Sequence, residues 1–139
     1  MKGSLKCRRI VGGHGIGKAI ITEQPINFLS MLDVSRGIII DSHHHLFRSC
    51  LKDSVLVFPR AVGSSVGSYS IYALKVNCVA PAAMICSGKT DLITASGCAI
   101  SKIALVDMLD TSWSSFIRDG VELEVDANNR TVNLPKQTI

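Results

Sequence analysis

Residue types capable of chemistry are concentrated in one short stretch of the sequence, Gly63-Ser64-Ser65-Val66-Gly67-Ser68. The apolar residues Val55–Phe58 that precede it are typical of a buried strand, and the residues that follow it are typical of a helix. A turn of this composition between a strand and a helix directs backbone N–H groups and hydroxyls toward one point, where the helix dipole favours negative charge. Residues 63–68, which we call the serine turn, therefore predict an anion-binding or catalytic site.

Neighbouring residues strengthen this interpretation of the serine turn. Arg60 follows the predicted strand and could reach the same anion as the serines. Two glycines, Gly63 and Gly67, would let a ligand approach the backbone closely. Capping of the helix explains one serine, but it does not explain two adjacent serines, Ser64 and Ser65, framed by glycines.

The serine turn also matches the G-x-S-x-G motif of α/β-hydrolases, with a serine at its centre. That fold requires a histidine after the serine in the sequence, because the catalytic triad follows the order serine, acid, histidine. All four histidines of this chain precede it: His14, His43, His44 and His45. A self-contained Ser-His-Asp hydrolase is therefore disfavoured.

A second glycine-rich stretch, residues 12–18, nearly spells a phosphate-binding P-loop. Ala19 stands where that motif needs a serine or threonine to bind Mg²⁺, and the residues that follow alternate as a strand does. We therefore expect a tight hairpin turn here, joining strands at 6–11 and 18–22, and no nucleotide site.

Neither the histidines nor the cysteines form a recognisable pattern of metal ligands. Adjacent residues of an extended loop point in different directions, so His43, His44 and His45 are expected to pack in a loop or hydrogen-bond to Asp41. The cysteines are odd in number and include no C-x-x-C pair, which predicts small buried thiols in a reducing compartment: Cys7, Cys50, Cys78, Cys86 and Cys98.

Composition predicts one folded domain over residues 1–139, since 47% of the residues are hydrophobic and 19% are charged. No apolar run approaches the roughly 20 residues of a membrane span, and the N-terminus lacks the apolar core of a signal peptide, so we expect a cytoplasmic protein. The net charge of +4 suits an anionic substrate or an acidic partner. The absence of aromatic residues among the basic ones argues against nucleic acid.

The sequence pattern predicts β-rich ends around a central strand–helix–strand–helix–strand unit. In that unit the strands are expected at 55–58, 81–86 and 103–107, and the helices at 65–77 and 90–101, with Asp91 capping the second helix. Further strands are expected at 37–41, 120–126 and 131–134, the last two joined by a hairpin turn at Asn128-Asn129. The apolar face of the first helix is predicted to comprise Val66, Tyr69, Ala73, Leu74 and Val76.

Residues 57–69 resemble the signature of the small subunit of the aconitase X family. Similar short matches at 12–13, 23–28, 41–46, 77–82 and 94–99 extend the resemblance over nearly the whole chain. The family usually has a histidine at the position of His44, but a proline is commoner at His45 and a glycine at Arg48. The resemblance implies an α/β fold, the swivelling β/β/α domain that is also the mobile domain of aconitases.

In this family the large subunit carries an iron–sulfur cluster on its own cysteines, and the small subunit brings a serine to the active site across the interface. The matching serine is Ser64, which the resemblance implies as the catalytic residue. Aconitases have a substrate-binding arginine at the position of Val66, for which Arg60 is a candidate substitute. The substrate-binding residues are expected to be Arg60, Gly63, Ser65, Gly67 and Ser68.

The resemblance is greatest to family members that dehydrate mevalonate 5-phosphate to trans-anhydromevalonate 5-phosphate in isoprenoid biosynthesis. It implies a large-subunit partner that binds a four-iron four-sulfur cluster, with no metal on this chain, and neither nucleic acid nor membrane as a partner. Two alternatives remain open. The same serine turn would serve the dehydration of a hydroxyproline, and it would also serve a non-catalytic anion-binding module that is stable as a monomer.

Overall fold

In the computed structural model, residues 3–135 are described and form a mixed sheet flanked by helices. The strands are β1 (Ser4–Lys6), β2 (Arg8–Val11), β3 (His14–Ile21), β4 (Leu32–Asp33), β5 (Ile38–Ile39), β6 (Val55–Phe58), β7 (Ala83–Cys86), β8 (Ala104–Asp107), β9 (Glu122–Asp126) and β10 (Thr131–Asn133). The helices are α1 (Gly67–Val76), α2 (Leu92–Ser101) and a short 3₁₀ helix (Trp113–Ser115). No helix within residues 3–135 is both long and apolar enough to cross a membrane.

The large sheet has the strand order β1-β10-β9-β3-β6-β7-β8-β2. Its centre is parallel: β3 pairs with β6, β6 with β7, and β7 with β8. Parallel neighbours need a crossover connection, and α1 and α2 provide two of them. The predicted central unit is therefore confirmed, as is Asp91 as the cap of α2, where its carboxylate accepts a hydrogen bond from Thr94 N.

The N-terminal segment closes the sheet. β1 and β2 are separated only by Cys7, yet β1 pairs with β10 at one edge and β2 pairs with β8 at the other. Cys7 N donates a hydrogen bond to Arg130 O, at 3.1 Å, which continues the pairing through the junction. The sheet must therefore curl until its two edges meet on one extended stretch of chain.

The expected hairpin between the strands at 6–11 and 18–22 is wrong. β2 pairs with β8, whereas β3 lies between β9 and β6. Two glycines of β3 allow the backbones of neighbouring segments to approach closely. A methyl group on Gly15 would lie 2.7 Å from Ala82 C, and one on Gly17 would lie 3.0 Å from Ser54 C. Residues from His14 onward are strand, so the loop-to-helix geometry of a P-loop is absent from this stretch.

Two hydrophobic cores lie on opposite faces of the parallel strands, because successive side chains of a strand alternate between faces. Every residue of β6, β7 and β8 is buried. One face packs within the curled sheet, with Val57, Ile85 and Val106 against Leu123, Val125 and Val132. The other packs against the helices and the connection between β3 and β6, with Phe58, Met84 and Leu105 against Phe28, Ile71 and Leu74.

The buried face of α1 differs from the predicted one. Leu74 is buried as expected, but Tyr69 and Val76 are 68% and 60% exposed, and Val66 is exposed as well. The buried face consists of Gly67, Ser68, Ser70, Ile71 and Leu74. Small residues lie here because the two helices approach closely: a methyl group on Gly97 of α2 would lie 3.0 Å from Ile71 Cβ.

Candidate functional site

The serine turn lies where the parallel strands end, along the side of the sheet formed by their carboxyl ends. We call this side of the sheet the carboxyl edge, to distinguish it from the outer strands. Because β3, β6, β7 and β8 are parallel, their carboxyl ends all face this edge. Ligands of α/β proteins bind in the crevice outside the carboxyl ends of the strands. The segments that leave this edge are residues 22–25, 59–66, 87–91 and 108–110, and the serine turn belongs to the second of them.

The segment after β6 is held on two sides before it reaches the serine turn. Ile26 N donates to Arg60 O at 3.1 Å, and Val62 N donates to Ile26 O at 3.0 Å. On the other side, Ala61 N donates to the carboxylate of Asp91 at 2.8 Å. These bonds hold the main chain extended through residues 60–62, so the direction change falls on Gly63.

Gly63 adopts a positive φ of 91°, which residues with a side chain rarely adopt. A methyl group on Gly63 would also lie 2.7 Å from Asn27 Cγ. The Asn27 carboxamide is itself fixed, because its oxygen accepts hydrogen bonds from Leu29 N and Ser30 N, each at 3.2 Å. The absence of a side chain at Gly63 is thus explained by Asn27, and direct contact of Gly63 with substrate stays a prediction.

Ser64 and Ser65 are exposed at the tip of the turn. Val66 N donates to Ser64 Oγ at 3.2 Å, and Gly67 N donates to Ser64 O at 2.9 Å. Within the described part of the chain, the Ser64 hydroxyl donates to no acceptor, and the backbone N–H groups of Gly63, Ser64 and Ser65 have no acceptor either. The turn therefore presents a hydroxyl and three consecutive N–H donors to solvent at the N-terminus of α1.

The other two predicted residues of the turn face inward. Ser68 is buried and its hydroxyl donates to Ile93 O at 2.9 Å. Gly67 is buried too, and a methyl group there would lie 3.3 Å from Ile93 Cγ2. The structure thus brings Arg60, Ser64 and Ser65 to the open surface, whereas Gly67 and Ser68 lie in the contact between α1 and α2. Substrate binding by these last two residues stays a prediction.

A buried carboxylate that sequence reasoning missed holds the segment after β7. Asp107 is fully buried and accepts two hydrogen bonds from the Arg8 guanidinium, each at 2.7 Å, and two from Thr90, at 2.7 and 2.8 Å. Burial acts to raise the pKa of Asp107, but the hydrogen bonds from Arg8 and Thr90 outweigh it and lower that pKa. The sequence does contain a signal for this contact, because an aspartate at the end of an apolar strand is expected to be buried, and a buried charge requires a partner.

The histidine loop, residues 41–46, packs through His44 and Leu46. His43 N donates to the Asp41 carboxylate at 2.8 Å, and His44 N donates to Asp41 O at 3.1 Å. The buried His44 ring accepts from Leu46 N through Nδ1, at 3.0 Å, so its Nε2 donates to Pro25 O, at 3.1 Å. Hydrogen bonding to Asp41 is therefore confirmed for His43 and His44 and packing is confirmed for His44, whereas the His43 and His45 side chains are exposed.

The cysteines do not fit an iron–sulfur site. Cys86 and Cys98 are buried as predicted, but Cys50 and Cys78 are exposed, so the prediction is wrong for these two. Burial raises the pKa of Cys86 to about 12 and also raises that of Cys98. Between residues 3 and 135, no group of three or more metal-ligating side chains is close enough to hold an ion.

The geometry at Gly63 leads to a first prediction. Gly63→Ala should lower the free energy of unfolding by about 1–3 kcal/mol, because the positive φ and the Asn27 carboxamide both disfavour a side chain. Urea unfolding followed by circular dichroism would measure this. Gly88→Ala is the matched control, since the nearest atom to a methyl group there, Pro59 O, is 3.6 Å away. Equal stability of the two variants would contradict the prediction.

Comparisons with known proteins agree over almost the whole chain. The family model of the aconitase X swivel domain matches residues 4–134. The phosphomevalonate dehydratase small subunit of Thermococcus sibiricus is 43% identical over 130 residues, covering 94% of this chain and 97% of that protein. The one from Methanococcoides burtonii is 39% identical over 130 residues, or 94% of each protein. The crystal structure of the holo form of Thermococcus kodakaraensis aconitase X has a TM-score of 0.88 and 40% identity, covering 96% of this chain and 99% of that chain.

The match in sequence and the match in structure lead to the same family. Together they confirm the predicted α/β swivelling fold and the resemblance on which it was based. The matched residues include the serine turn, both helices and every strand of the curled sheet. The chain belongs to the aconitase X swivel-domain family.

Proposed function

We propose that this chain is the small subunit of a two-subunit hydro-lyase that dehydrates mevalonate 5-phosphate to trans-anhydromevalonate 5-phosphate, in the mevalonate pathway of isoprenoid biosynthesis. Relatives that are 39% and 43% identical over almost their whole length bear the name of a phosphomevalonate dehydratase small subunit. The chain is accordingly a dehydratase subunit that acts with a large subunit. One observation supports a part for this chain in the reaction: Ser64 and the free N–H groups around it face solvent at the carboxyl ends of the parallel strands.

Ser64 is the residue that takes the proton. Removing water from a β-hydroxy acid breaks a C–H bond next to the carboxylate and the C–O bond at the β-carbon. The electron pair of the C–H bond forms the new C=C bond, the hydroxyl leaves as part of the released water, and a base must accept the proton. A serine hydroxyl is a weak base, and its alkoxide needs strong stabilisation. Val66 N already donates to Ser64 Oγ, and the N-terminus of α1 adds a positive dipole end.

The large subunit supplies the remainder of the active site. Ser64, Ser65 and Arg60 lie on an open surface rather than in a closed cleft, so this chain alone does not exclude water from a bound substrate. The described cysteines do not fit an iron–sulfur cluster. We therefore assign the four-iron four-sulfur cluster to the large subunit and assign proton transfer and substrate orientation to this chain.

Co-expression with the large subunit from the same organism tests the proposal. The complex would be purified without oxygen and assayed for dehydration of mevalonate 5-phosphate, with each chain alone as the control. Turnover that requires both chains is the expected result. A tight complex that instead dehydrates a hydroxyproline would replace the substrate, and failure of the two chains to associate would favour a separate anion-binding module.

A further inference from the structure

Two unpaired cations, Arg60 and Lys89, lie on adjacent segments at the edge that carries the serine turn. Arg60 follows β6 and Lys89 follows β7, and these strands are direct neighbours in the sheet. Their segments touch, since Ser87 N donates to Phe58 O at 2.8 Å and a methyl group on Gly88 would lie 3.6 Å from Pro59 O. Both side chains are exposed, and within residues 3–135 neither has an ion pair or hydrogen-bond partner.

The carboxylates nearest to these cations are used elsewhere. Asp107 is bound by Arg8 and Thr90, and Asp91 accepts hydrogen bonds from Thr94 and from Ala61 N. Glu23 follows β3, the other neighbour of β6, and within residues 3–135 it forms no ion pair with Arg60 or Lys89. The positive charges of Arg60 and Lys89 are therefore available to a ligand.

We propose that Arg60 and Lys89 together bind the phosphate of the substrate, with Lys89 selecting a phosphorylated hydroxy acid over one without a phosphate. This inference rests on the proposed function. In mevalonate 5-phosphate the phosphate and the reacting carbon beside the carboxylate lie toward opposite ends of the molecule. Ser64 on the segment after β6 and Lys89 on the segment after β7 provide two separate points of attachment. An arginine beside a lysine is well suited to a dianionic phosphate.

The test is a kinetic comparison of Lys89 variants in the assembled complex. Lys89→Gln should raise KM for mevalonate 5-phosphate about tenfold with little change in kcat, because a charged hydrogen bond far from the reacting carbon contributes to binding in both the ground and transition states. Lys89→Arg should restore most of the affinity. The matched control is Lys52→Gln, because Lys52 is exposed just before β6 begins, at the opposite edge of the sheet.

Titration with inorganic phosphate separates this inference from the proposed function. Amide NMR shifts of the full chain should change at residues 60 and 87–90, and Lys89→Gln should abolish the change. If the wild-type complex does not act on mevalonate 5-phosphate but these shifts persist, the proposed function fails and the anion site stands. If the complex is active and its KM is unchanged in Lys89→Gln, the inference is overturned.

Discussion

Replacing Ser64 with alanine should reduce kcat of the dehydratase complex by at least about a hundredfold, because a proton-transfer group contributes on that scale. The hydroxyl accepts a hydrogen bond from Val66 N and leaves its own proton free toward solvent. No other residue of the serine turn combines an exposed hydroxyl with such a bond to its oxygen. Steady-state assays of the purified complex would measure the loss.

Assembly should survive this substitution, so the loss would report on chemistry. Ser64 is exposed and its side chain makes one hydrogen bond, whose removal costs about 0.5–1.5 kcal/mol. Size-exclusion chromatography of the Ser64→Ala complex would establish that both chains remain associated. Ser35→Ala is the control, since Ser35 is an exposed serine in the turn between β4 and β5. Near-normal turnover by Ser64→Ala would assign proton transfer to another residue.

Asp107→Ala should lower the free energy of unfolding by about 2–4 kcal/mol, because removal of one partner from a buried charge pair leaves the others unpaired. Both hydrogen-bonding groups of Thr90 would lose their acceptor. The Arg8 side chain is 49% exposed and would recover part of its hydration, which keeps the cost moderate. Urea unfolding would measure the difference. Asp110→Ala is the control, since Asp110 is exposed and, among residues 3–135, its side chain hydrogen-bonds only to Ser112.

The contribution of Asp107 should depend on pH in a defined direction. Its pKa is lower in the folded chain than in the unfolded chain, so protonation favours unfolding. The stabilisation should be complete above the unfolded value of about 4 and should disappear as pH falls through the lower folded value. The stability difference between the wild type and Asp107→Asn should therefore shrink from pH 7 toward pH 3. A difference that stays constant would show that the charge is not the stabilising feature.

Local signals in the sequence predicted the elements better than their partners. The central strands and the Asp91 cap were confirmed, because apolar runs and capping residues act over a few positions. The hairpin between β2 and β3 was wrong, since a strand's alternation does not specify which strand it pairs with. The buried face of α1 was missed for a related reason. The helix α2 packs so closely against α1 that mostly small residues fit on the buried face of α1. The close approach of Gly97 to Ile71, which shows this, can be seen only when the position of α2 is known.

For the candidate site too, features with a local sequence signal were predicted and features that depend on the arrangement of distant elements were missed. The serine turn was located from its glycines and serines alone, because a turn of this composition between a strand and a helix predicts exposed N–H groups and hydroxyls without reference to the rest of the fold. Lys89 and Asp107 were missed because their relevance depends on β6, β7 and β8 being neighbours with a common direction. The inward direction of Ser68 likewise depends on the position of Ile93 in α2.

The closure of the sheet by residues 4–11 has a consequence for folding. These residues pair with β10 and β8, which lie near the other end of the sequence, so the contacts that complete the sheet have a large separation along the chain. Folding rates fall as such separation grows. During synthesis the first strands leave the ribosome early but have no partners until the last ones have been made. Until then β1 and β2 each have an unpaired backbone edge, and the nascent chain is exposed to intermolecular strand pairing.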